Sequence, residues 1–319
     1  MVHERRPGPQ QPVFDTRTEV TPGDARPLDR ALRDVFPQAS WSQVRRLIET
    51  GKVNVDGVRR CDPRSFVRAG QALEVRLSAP RPRAGALPST AILHVDAHVV
   101  VVDKPAGIST VPYEPNERGT LEELLRAELR RSSNVPRADA PLGVVHRLDK
   151  PTSGVMVFAR TLSAKRQLEQ QFRRHSIERR YLALCHGELP SQTLRSRLVQ
   201  DRGDGLRGST DHPRLGRDAI THVEALERFG SASLVGCRLE TGRTHQIRIH
   251  LSEAGHPLLG EPVYVRNYGG PLLTAPRLML HAAELGFLHP ASGALLRFRS
   301  PPPSDMQSVL EELRRMRRP

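Results

Sequence analysis

Residues 143–155 read GVVHRLDKPTSGV, and this stretch decides more about the fold than any other part of the chain. Its apolar start and its Pro/Gly-punctuated end predict a strand that runs into a loop. The loop presents one carboxylate, Asp149, between the basic side chains of Arg147 and Lys150. The residues alone leave two interpretations open. Asp149 is either a turn residue that bonds neighbouring backbone N–H groups, or a carboxylate that carries out chemistry.

A second informative stretch lies about ninety residues downstream, where residues 239–251 read LETGRTHQIRIHL. The pattern predicts a strand, a tight turn at the glycine, and a helix that is capped by Thr244. Ile247 and Leu251 are four residues apart and are expected on the buried side of this helix. Arg243 stands just before the helix start, with a basic face behind it.

The two stretches resemble the signatures HRLDxxTSG and TGRTHQIR of the RluA-type RNA pseudouridine synthases. Further pieces match in the family's order, and they are Val102–Gly107, Arg180–Ala183, Gly255–Gly260 and Leu280–Ala282. The resemblance spans about residues 91–300. It implies an α+β fold, the pseudouridine synthase fold, which is built on a mixed, largely antiparallel central sheet.

The resemblance also implies a reaction, the isomerisation of uridine to pseudouridine in RNA. Asp149 falls on the catalytic aspartate, which attacks the anomeric carbon or removes a ribose proton to give a glycal. Arg243 falls on the position that pairs with this aspartate. Tyr181 falls on the active-site tyrosine, for which stacking or positioning is a safer assignment than proton abstraction, because an unperturbed phenol is a poor base at pH 7. An isomerisation needs no cofactor, and no metal is expected.

Three further residues receive roles from the resemblance. Arg147 falls on the position that fills the space left by the flipped base, although contact with a nearby phosphate is an alternative for this side chain. Ile247 or Leu251 is expected to line the uracil pocket. For either residue, packing in the helix core is an equally good interpretation.

The N-terminal part predicts a second, smaller domain. Two amphipathic helices, the second opened by a capping box at Ser40, precede GKVNVDG at residues 51–57. This order resembles the S-four-like RNA-binding domain, an α/β module, over about residues 26–78; the alternative is a helix-turn-helix fragment with a solvated basic face. The resemblance suggests that Arg45, Arg46 and Lys52 bind RNA phosphates. The expected organisation is a disordered tail (1–25), the S-four-like domain (26–78), a linker (79–90), the catalytic domain (91–302) and a C-terminal helix or tail (303–319).

Composition agrees with an RNA partner without proving one. The 319 residues include 49 Lys and Arg against 35 Asp and Glu, which gives a net charge of +14 and a pI near 10.9. Such a charge favours polyanions, although an arginine-rich solvated coat is an alternative. The added S-four-like domain favours large-subunit ribosomal RNA over tRNA as the substrate. A non-catalytic RNA-binding factor for ribosome assembly and a nucleoside hydrolase remain as rival functions.

Other features of the sequence concern compartment and assembly. No apolar run approaches the roughly 18–20 residues of a spanning helix, and the N-terminus lacks the apolar stretch of a signal peptide. A cytoplasmic protein is therefore expected. The three cysteines form no CxxC pair, so neither a disulfide framework nor a metal knuckle is expected. The chain is expected to be a monomer.

Overall fold

The computed structural model describes residues 16–19, 26–60, 63, 66–67, 69–79, 87–113, 117–132, 141–265 and 268–316. The chain divides into two compact units, residues 1–83 and 84–319. Each unit has its own hydrophobic core.

The N-terminal unit packs two helices against a small antiparallel sheet. Its elements are β1 (Thr16–Glu19), β2 (Arg26–Pro27), α1 (Leu28–Val35), α2 (Trp41–Glu49), β3 (Val53–Val55), β4 (Val58–Arg60), β5 (Phe66–Val67) and β6 (Ala72–Val75). The main sheet has the order β1-β6-β3-β4, and β2 pairs with β5. The predicted helices are confirmed, and so is the capping box at Ser40, whose backbone N–H donates to Gln43 Oε1 (2.7 Å) while the Gln43 N–H donates to its hydroxyl (3.2 Å).

One expectation for this unit differs from the structure. Residues 1–25 were expected to be a disordered tail, but Thr16–Glu19 form strand β1 and pair in register with Ala72–Val75 of β6. The physical reason is that β6 offers an open edge, which a short β-branched segment can cover. The rest of this predicted tail lies outside the described residues.

The C-terminal unit is built on a large twisted sheet. Its strands are β7 (Ile92–Val95), β8 (Val99–Lys104), β9 (Gly143–Val144), β10 (Ser153–Ala159), β11 (Glu178–His186), β12 (Gln192–Val199), β13 (Gly208–Ser209), β14 (Arg217–Arg228), β15 (Ala232–Leu239), β16 (Leu280–Leu288) and β17 (Leu295–Arg299). Its helices are α3 (Leu121–Arg131), α4 (Leu162–Arg173), α5 (Gln246–Glu253) and α6 (Ser304–Met316), with a short 3₁₀ helix at Ser89–Ala91.

The strand order is β13-β12-β14-β15-β11-β16-β10-β8-β7, with β17 added to β16 and β9 added to β10. Every pair is antiparallel except β10 with β16, which is parallel. The α+β class with a mixed, largely antiparallel sheet is therefore confirmed.

The parallel pair lies at the centre of the sheet and depends on a glycine. Gly154 of β10 has φ = 118°, and a Cβ at this position would lie 2.2 Å from the carbonyl oxygen of Ala282 in β16. Only glycine allows this close approach of two backbones. The stretch TSG at 152–154 thus joins the centre of the sheet to the loop that carries Asp149.

Helices cover both faces of the sheet. Helix α5 packs through Ile247 and Leu251 against the face that also carries Cys237 of β15, whereas α6 packs on the opposite face with Leu184 and Leu234. The predicted C-terminal helix is present, and its burial makes it part of this unit's core. Residues 200–218 include β13 and the start of β14. Among the described residues, no helix combines the length and the apolar character that crossing a bilayer requires.

Candidate active site

The loop that carries Asp149 is held in place on both sides of that residue. The hydroxyl of Thr110 donates to the Leu148 carbonyl (3.1 Å) and accepts from the Leu148 N–H (3.3 Å). Beyond Asp149, the Thr152 N–H donates to the Asp149 carbonyl (3.0 Å) and closes a turn. The backbone around the carboxylate is thereby fixed before any ligand binds.

A buried lysine at the end of β8 supports the same loop. Lys104, at the end of β8, donates from Nζ to the carbonyls of Lys150 (3.2 Å) and Pro105 (3.0 Å). Burial lowers the pKa of Lys104 to about 7, and the nearby Asp149 carboxylate opposes this shift. The backbone N–H of Gly107 also donates to the Lys150 carbonyl (2.8 Å). The stretch VDKPAG at 102–107 therefore forms the support of the aspartate loop.

Helix α5 forms the facing wall, and its start differs from the prediction. Thr244 does not cap it; the helix begins after His245, whose left-handed conformation (φ = 59°) provides no side-chain cap. The amide of Gln246 holds the preceding turn instead. Its oxygen accepts from the Arg243 N–H (3.0 Å) and the Thr241 hydroxyl (2.8 Å), while its nitrogen donates to the Ile220 carbonyl and the Thr221 hydroxyl (both 3.0 Å). Every hydrogen-bonding site of this buried amide is used.

The arginine that faces Asp149 is Arg248 rather than Arg243. Arg248 Nη1 lies 3.4 Å from Asp149 Oδ2, and its Nε and Nη2 donate to the Glu261 carboxylate, both at 2.7 Å. The predicted ion pair between Arg243 and Asp149 is wrong, because among the described residues no carboxylate lies within 4 Å of Arg243. Arg243 precedes the helix, and its Nε donates to the Asp218 carbonyl (3.0 Å).

The Arg248–Glu261 pair is almost completely removed from water. The two side chains are 4% and 0% exposed. Burial would raise the pKa of Glu261, but the hydrogen bonds and charge of Arg248 outweigh it and lower that pKa. The pKa of Arg248 is raised, because these bonds outweigh its own burial. Both groups are therefore charged at neutral pH, and the guanidinium is fixed beside Asp149.

His245 and Tyr181 complete the walls. His245 Nε2 lies 3.8 Å from Asp149 Oδ2, and its Nδ1 is 2.7 Å from the Tyr264 hydroxyl. Burial lowers the pKa of His245 to about 4, so the ring is neutral at pH 7. Burial likewise raises the pKa of Tyr181, although the charge of Arg179 opposes it. A protonated phenol agrees with the predicted stacking or positioning role.

These residues surround a cavity of about 70 Å³. Ile247 borders the cavity, whereas Leu251 is fully buried in the core behind it, so only Ile247 is placed to touch a base there. Arg147 is exposed and borders the cavity, as does Arg243. A second cavity, of about 240 Å³, borders Tyr264 and contains none of the predicted site residues.

Several residues of the site were not anticipated from the sequence. Arg248 and His245 lie within TGRTHQIR. Which side chains of this stretch reach Asp149 depends on the left-handed backbone conformation of His245, which the sequence does not reveal. Thr152 also borders the cavity, and its buried hydroxyl has no hydrogen-bond partner among the described residues. A local signal existed for the buried pair, because Glu261 is an acidic residue in an otherwise apolar stretch.

The three basic residues predicted to bind RNA lie in the N-terminal unit, and two of them have partners there. Arg45 Nε donates to Asp29 Oδ2 (3.1 Å), and Lys52 Nζ donates to the Ala79 carbonyl. Arg46 is exposed on α2. Within the described parts of the chain, no group of three or more His, Cys, Asp or Glu residues is arranged to hold a metal ion.

Comparison with known proteins agrees with the geometry. The family model described as RNA pseudouridylate synthase matches residues 98–253. The chain is 38% identical over 322 aligned positions to "Ribosomal large subunit pseudouridine synthase D" of Xanthomonas campestris pv. campestris, covering 93% of this chain and 92% of that protein. The protein of the same name from Pseudomonas aeruginosa is 36% identical, with coverages of 91% and 92%.

A solved structure shows the same architecture. "Human RNA Pseudouridylate Synthase Domain Containing 4" superimposes with a TM-score of 0.59 at 26% identity, covering 72% of this chain and 95% of that one. The extent and identity of these matches, together with the sheet topology, lead to one assignment: the chain belongs to the RluA-type family of RNA pseudouridine synthases, which are isomerases.

Proposed function

We propose that this chain isomerises uridine in large-subunit ribosomal RNA, with Asp149 as the catalytic carboxylate. The observation that carries the proposal is the position of Asp149. Its carboxylate, one-fifth exposed, lies on a braced turn at the edge of a cavity and 3.4 Å from a buried arginine.

The reaction requires that the bond between ribose and base nitrogen breaks, that the uracil turns, and that a bond to carbon-5 forms. An ionised carboxylate beside the ribose can attack the anomeric carbon to give a covalent ester, which the turned base later displaces. It can alternatively take a ribose proton to give a glycal, to which the base adds. In both routes the proton on carbon-5 leaves, and the atoms of the substrate are conserved.

Arg248 places a positive charge beside the Asp149 carboxylate and helps to orient it, with Nη1 3.4 Å from Oδ2. Because Glu261 fixes two guanidinium nitrogens of Arg248, the remaining nitrogen Nη1 is presented to Asp149 in one orientation. His245, neutral at pH 7, is close to the carboxylate without adding a charge.

The uracil would lie between Tyr181 and Ile247. Arg147, exposed at the rim, is suited to enter the RNA and occupy the place of the flipped base, which offsets part of an unstacking cost of a few kcal/mol.

The substrate class is inferred from the relatives, two of which carry the words "ribosomal large subunit" in their names. The N-terminal unit, over about residues 26–78, is proposed to be an S-four-like module that docks RNA through exposed charge such as Arg46, and residues 91–302 the catalytic domain. A monomer that acts in the cytoplasm completes the proposal; uridine in tRNA is the alternative substrate.

The experiment is a map of pseudouridines in a host strain that lacks the gene, complemented with the wild type or with Asp149→Asn. A large-subunit site that is lost in the deletion strain and restored only by the wild type supports the proposal. Restoration by Asp149→Asn would contradict the role of Asp149. Loss of a tRNA site instead would contradict the substrate class.

A further inference from the structure

Arg179, near the start of β11, is a buried cation without an anion. The residue is only 8% exposed. Nη2 donates to the Glu240 carbonyl (3.0 Å), but Nε has no hydrogen-bond partner, and no carboxylate within the described residues lies within 4 Å of the guanidinium. Buried charges are normally paired, because removing an ion from water costs several kcal/mol. The protein therefore retains an arrangement that is unfavourable without a ligand.

The guanidinium lies directly beneath the turn that leads into α5. A Cβ placed on Gly242 would be 2.4 Å from Arg179 Nη1, so the glycine leaves the space that the arginine uses. On the other side, the Arg179 Cζ is 5.9 Å from the centre of the Phe172 ring. The side chain is thus held in one position between α4 and the turn at residues 240–243.

A second arginine is carried by the same turn. Arg243 borders the active-site cavity, and within the described part of the chain its side chain makes one hydrogen bond, to the Asp218 carbonyl. The pKa of Arg179 is lowered by burial, and the charge of Arg243 contributes to this shift, so the two cations repel each other. His175, at the end of α4, is close enough to both arginines that they lower its pKa as well, although burial has the larger effect.

We infer that Arg179 and Arg243 form a phosphate subsite that binds one backbone phosphate of the RNA beside the target uridine. This inference rests on the proposed function. Phosphate is the anion that fits, because the planar fork of arginine matches its oxygens in a bidentate way and because RNA supplies it next to every base. The position also fits, since the guanidinium of Arg179 lies against Gly242, the residue before Arg243, and its charge acts on the Tyr181 phenol at the cavity.

The subsite gives Arg243 a role that the geometry supports. Arg248 occupies the place beside Asp149, so Arg243 is left at the rim of the cavity with unused donors. A phosphate bound between the arginines would neutralise their repulsion and satisfy the unpartnered Nε of Arg179.

The neighbouring Arg180 provides a matched control. Arg180 carries the same charge and lies in the same strand, but its side chain is exposed, and its backbone register partner in β15 is Arg238. Arg180→Met and Arg179→Met change the net charge equally, so only the position differs.

The experiment measures RNA affinity against salt concentration in the Asp149→Asn protein, which prevents turnover. The probe is large-subunit ribosomal RNA purified from the strain that lacks the gene. Arg179→Met is expected to weaken binding and to reduce the slope of log K against log salt by about 0.7–0.9, the value for one phosphate contact. Arg243→Met should do the same, whereas Arg180→Met should leave the slope unchanged. Because Arg179 and Arg243 share one phosphate, the double variant should lose less than the sum of the two.

Thermal unfolding separates a binding role from a structural one. If Arg179 serves the RNA, its replacement by methionine removes an uncompensated buried charge, and the melting temperature should stay or rise. An unchanged slope for both Arg179→Met and Arg243→Met would overturn the inference, as would equal slope losses for Arg179→Met and Arg180→Met. If Arg179→Met fails to fold, Arg243→Met, at a half-buried position, decides alone.

The two proposals fail in different ways. Failure of the proposed function would be seen as wild-type protein that makes no pseudouridine in this RNA. Failure of the phosphate subsite would be seen as RNA that is bound and modified with a salt slope that does not depend on Arg179 or Arg243.

Discussion

The substitution Arg248→Met is predicted to reduce both stability and activity, and a second substitution should separate the two effects. In the native protein, Arg248 gives two hydrogen bonds of 2.7 Å to Glu261 and one contact of 3.4 Å to Asp149. Methionine leaves the fully buried Glu261 carboxylate with only the backbone N–H groups of Val263 (2.9 Å) and Tyr264 (3.3 Å).

The magnitude follows from this geometry. Breaking a buried pair by removing one partner costs about 3–5 kcal/mol. For a unit of this size, each kcal/mol corresponds to about 2–4 °C, so the melting temperature should fall by roughly 6–20 °C. In the double variant Arg248→Met/Glu261→Gln, the buried charge is gone and the amide oxygen still accepts from the backbone. Most of the lost stability should therefore return.

Activity should not return with stability. In both variants Asp149 has lost the cation beside it, so its carboxyl group is less well oriented toward the substrate. Single-turnover formation of pseudouridine should be slower by more than tenfold, equivalent to about 1.4 kcal/mol.

The assays are thermal unfolding of the full-length protein and single-turnover formation of pseudouridine. Recovery of wild-type activity in the double variant would refute the role of Arg248 at Asp149. An Arg248→Met protein as stable as the wild type would refute the energetic argument for the buried pair.

Four other substitutions test the support of the aspartate loop. Burial lowers the pKa of Lys104 to about 7. Above this pH the unfolded chain binds a proton that the folded protein has released, so the free energy of unfolding should rise between pH 7 and about pH 10. Urea titrations should show that Lys104→Met flattens this rise. Thr110→Val removes two hydrogen bonds to the Leu148 backbone and should lower the free energy of unfolding by about 1–3 kcal/mol at pH 7. Thr152→Val removes a hydroxyl that has no partner among the described residues, so it should leave the stability unchanged or raise it. Equal losses of stability for the two variants would contradict these roles. Gly154→Ala should cost more than about 3 kcal/mol or prevent folding, because its Cβ would meet a backbone oxygen at 2.2 Å; a wild-type melting temperature would show that β10 and β16 do not approach so closely.

Much of the fold could be predicted from local pattern. The apolar run at residues 99–102 lies in β8. Ile247 and Leu251, four residues apart, are both buried in α5. The class of the sheet came from the family resemblance rather than from periodicity. Strand β1 was missed, since its stability comes from pairing with β6, more than fifty residues away.

The active site was predicted in part. Asp149 and Tyr181 both border the cavity, because β10 and β11 are the two neighbours of β16 in the sheet. The partner of Asp149 was assigned to the wrong arginine. Arg243 and Arg248 belong to the same stretch, and the choice between them depends on the left-handed turn at His245, which spacing along the sequence does not reveal.

The docking residues show a similar limit. Arg45 and Lys52 were predicted to bind RNA from the resemblance to the S-four-like domain and from their charge, but the side chain of each already has a partner in its own unit. A count of basic residues does not distinguish side chains that already bond within the protein from exposed ones that can bind RNA, such as Arg46. Arg179 shows the converse, because only burial without an anion marked it for attention.

The most direct test of the central claim, that the Asp149 carboxylate performs the isomerisation, measures the proton lost from carbon-5. Large-subunit ribosomal RNA from the strain lacking the gene, labelled with tritium at carbon-5 of uridine, is incubated with wild-type protein or with Asp149→Asn. The account predicts that the wild type releases tritium to water in proportion to pseudouridine formed, and that Asp149→Asn binds the same RNA and releases none. Release by Asp149→Asn at the wild-type rate would contradict it.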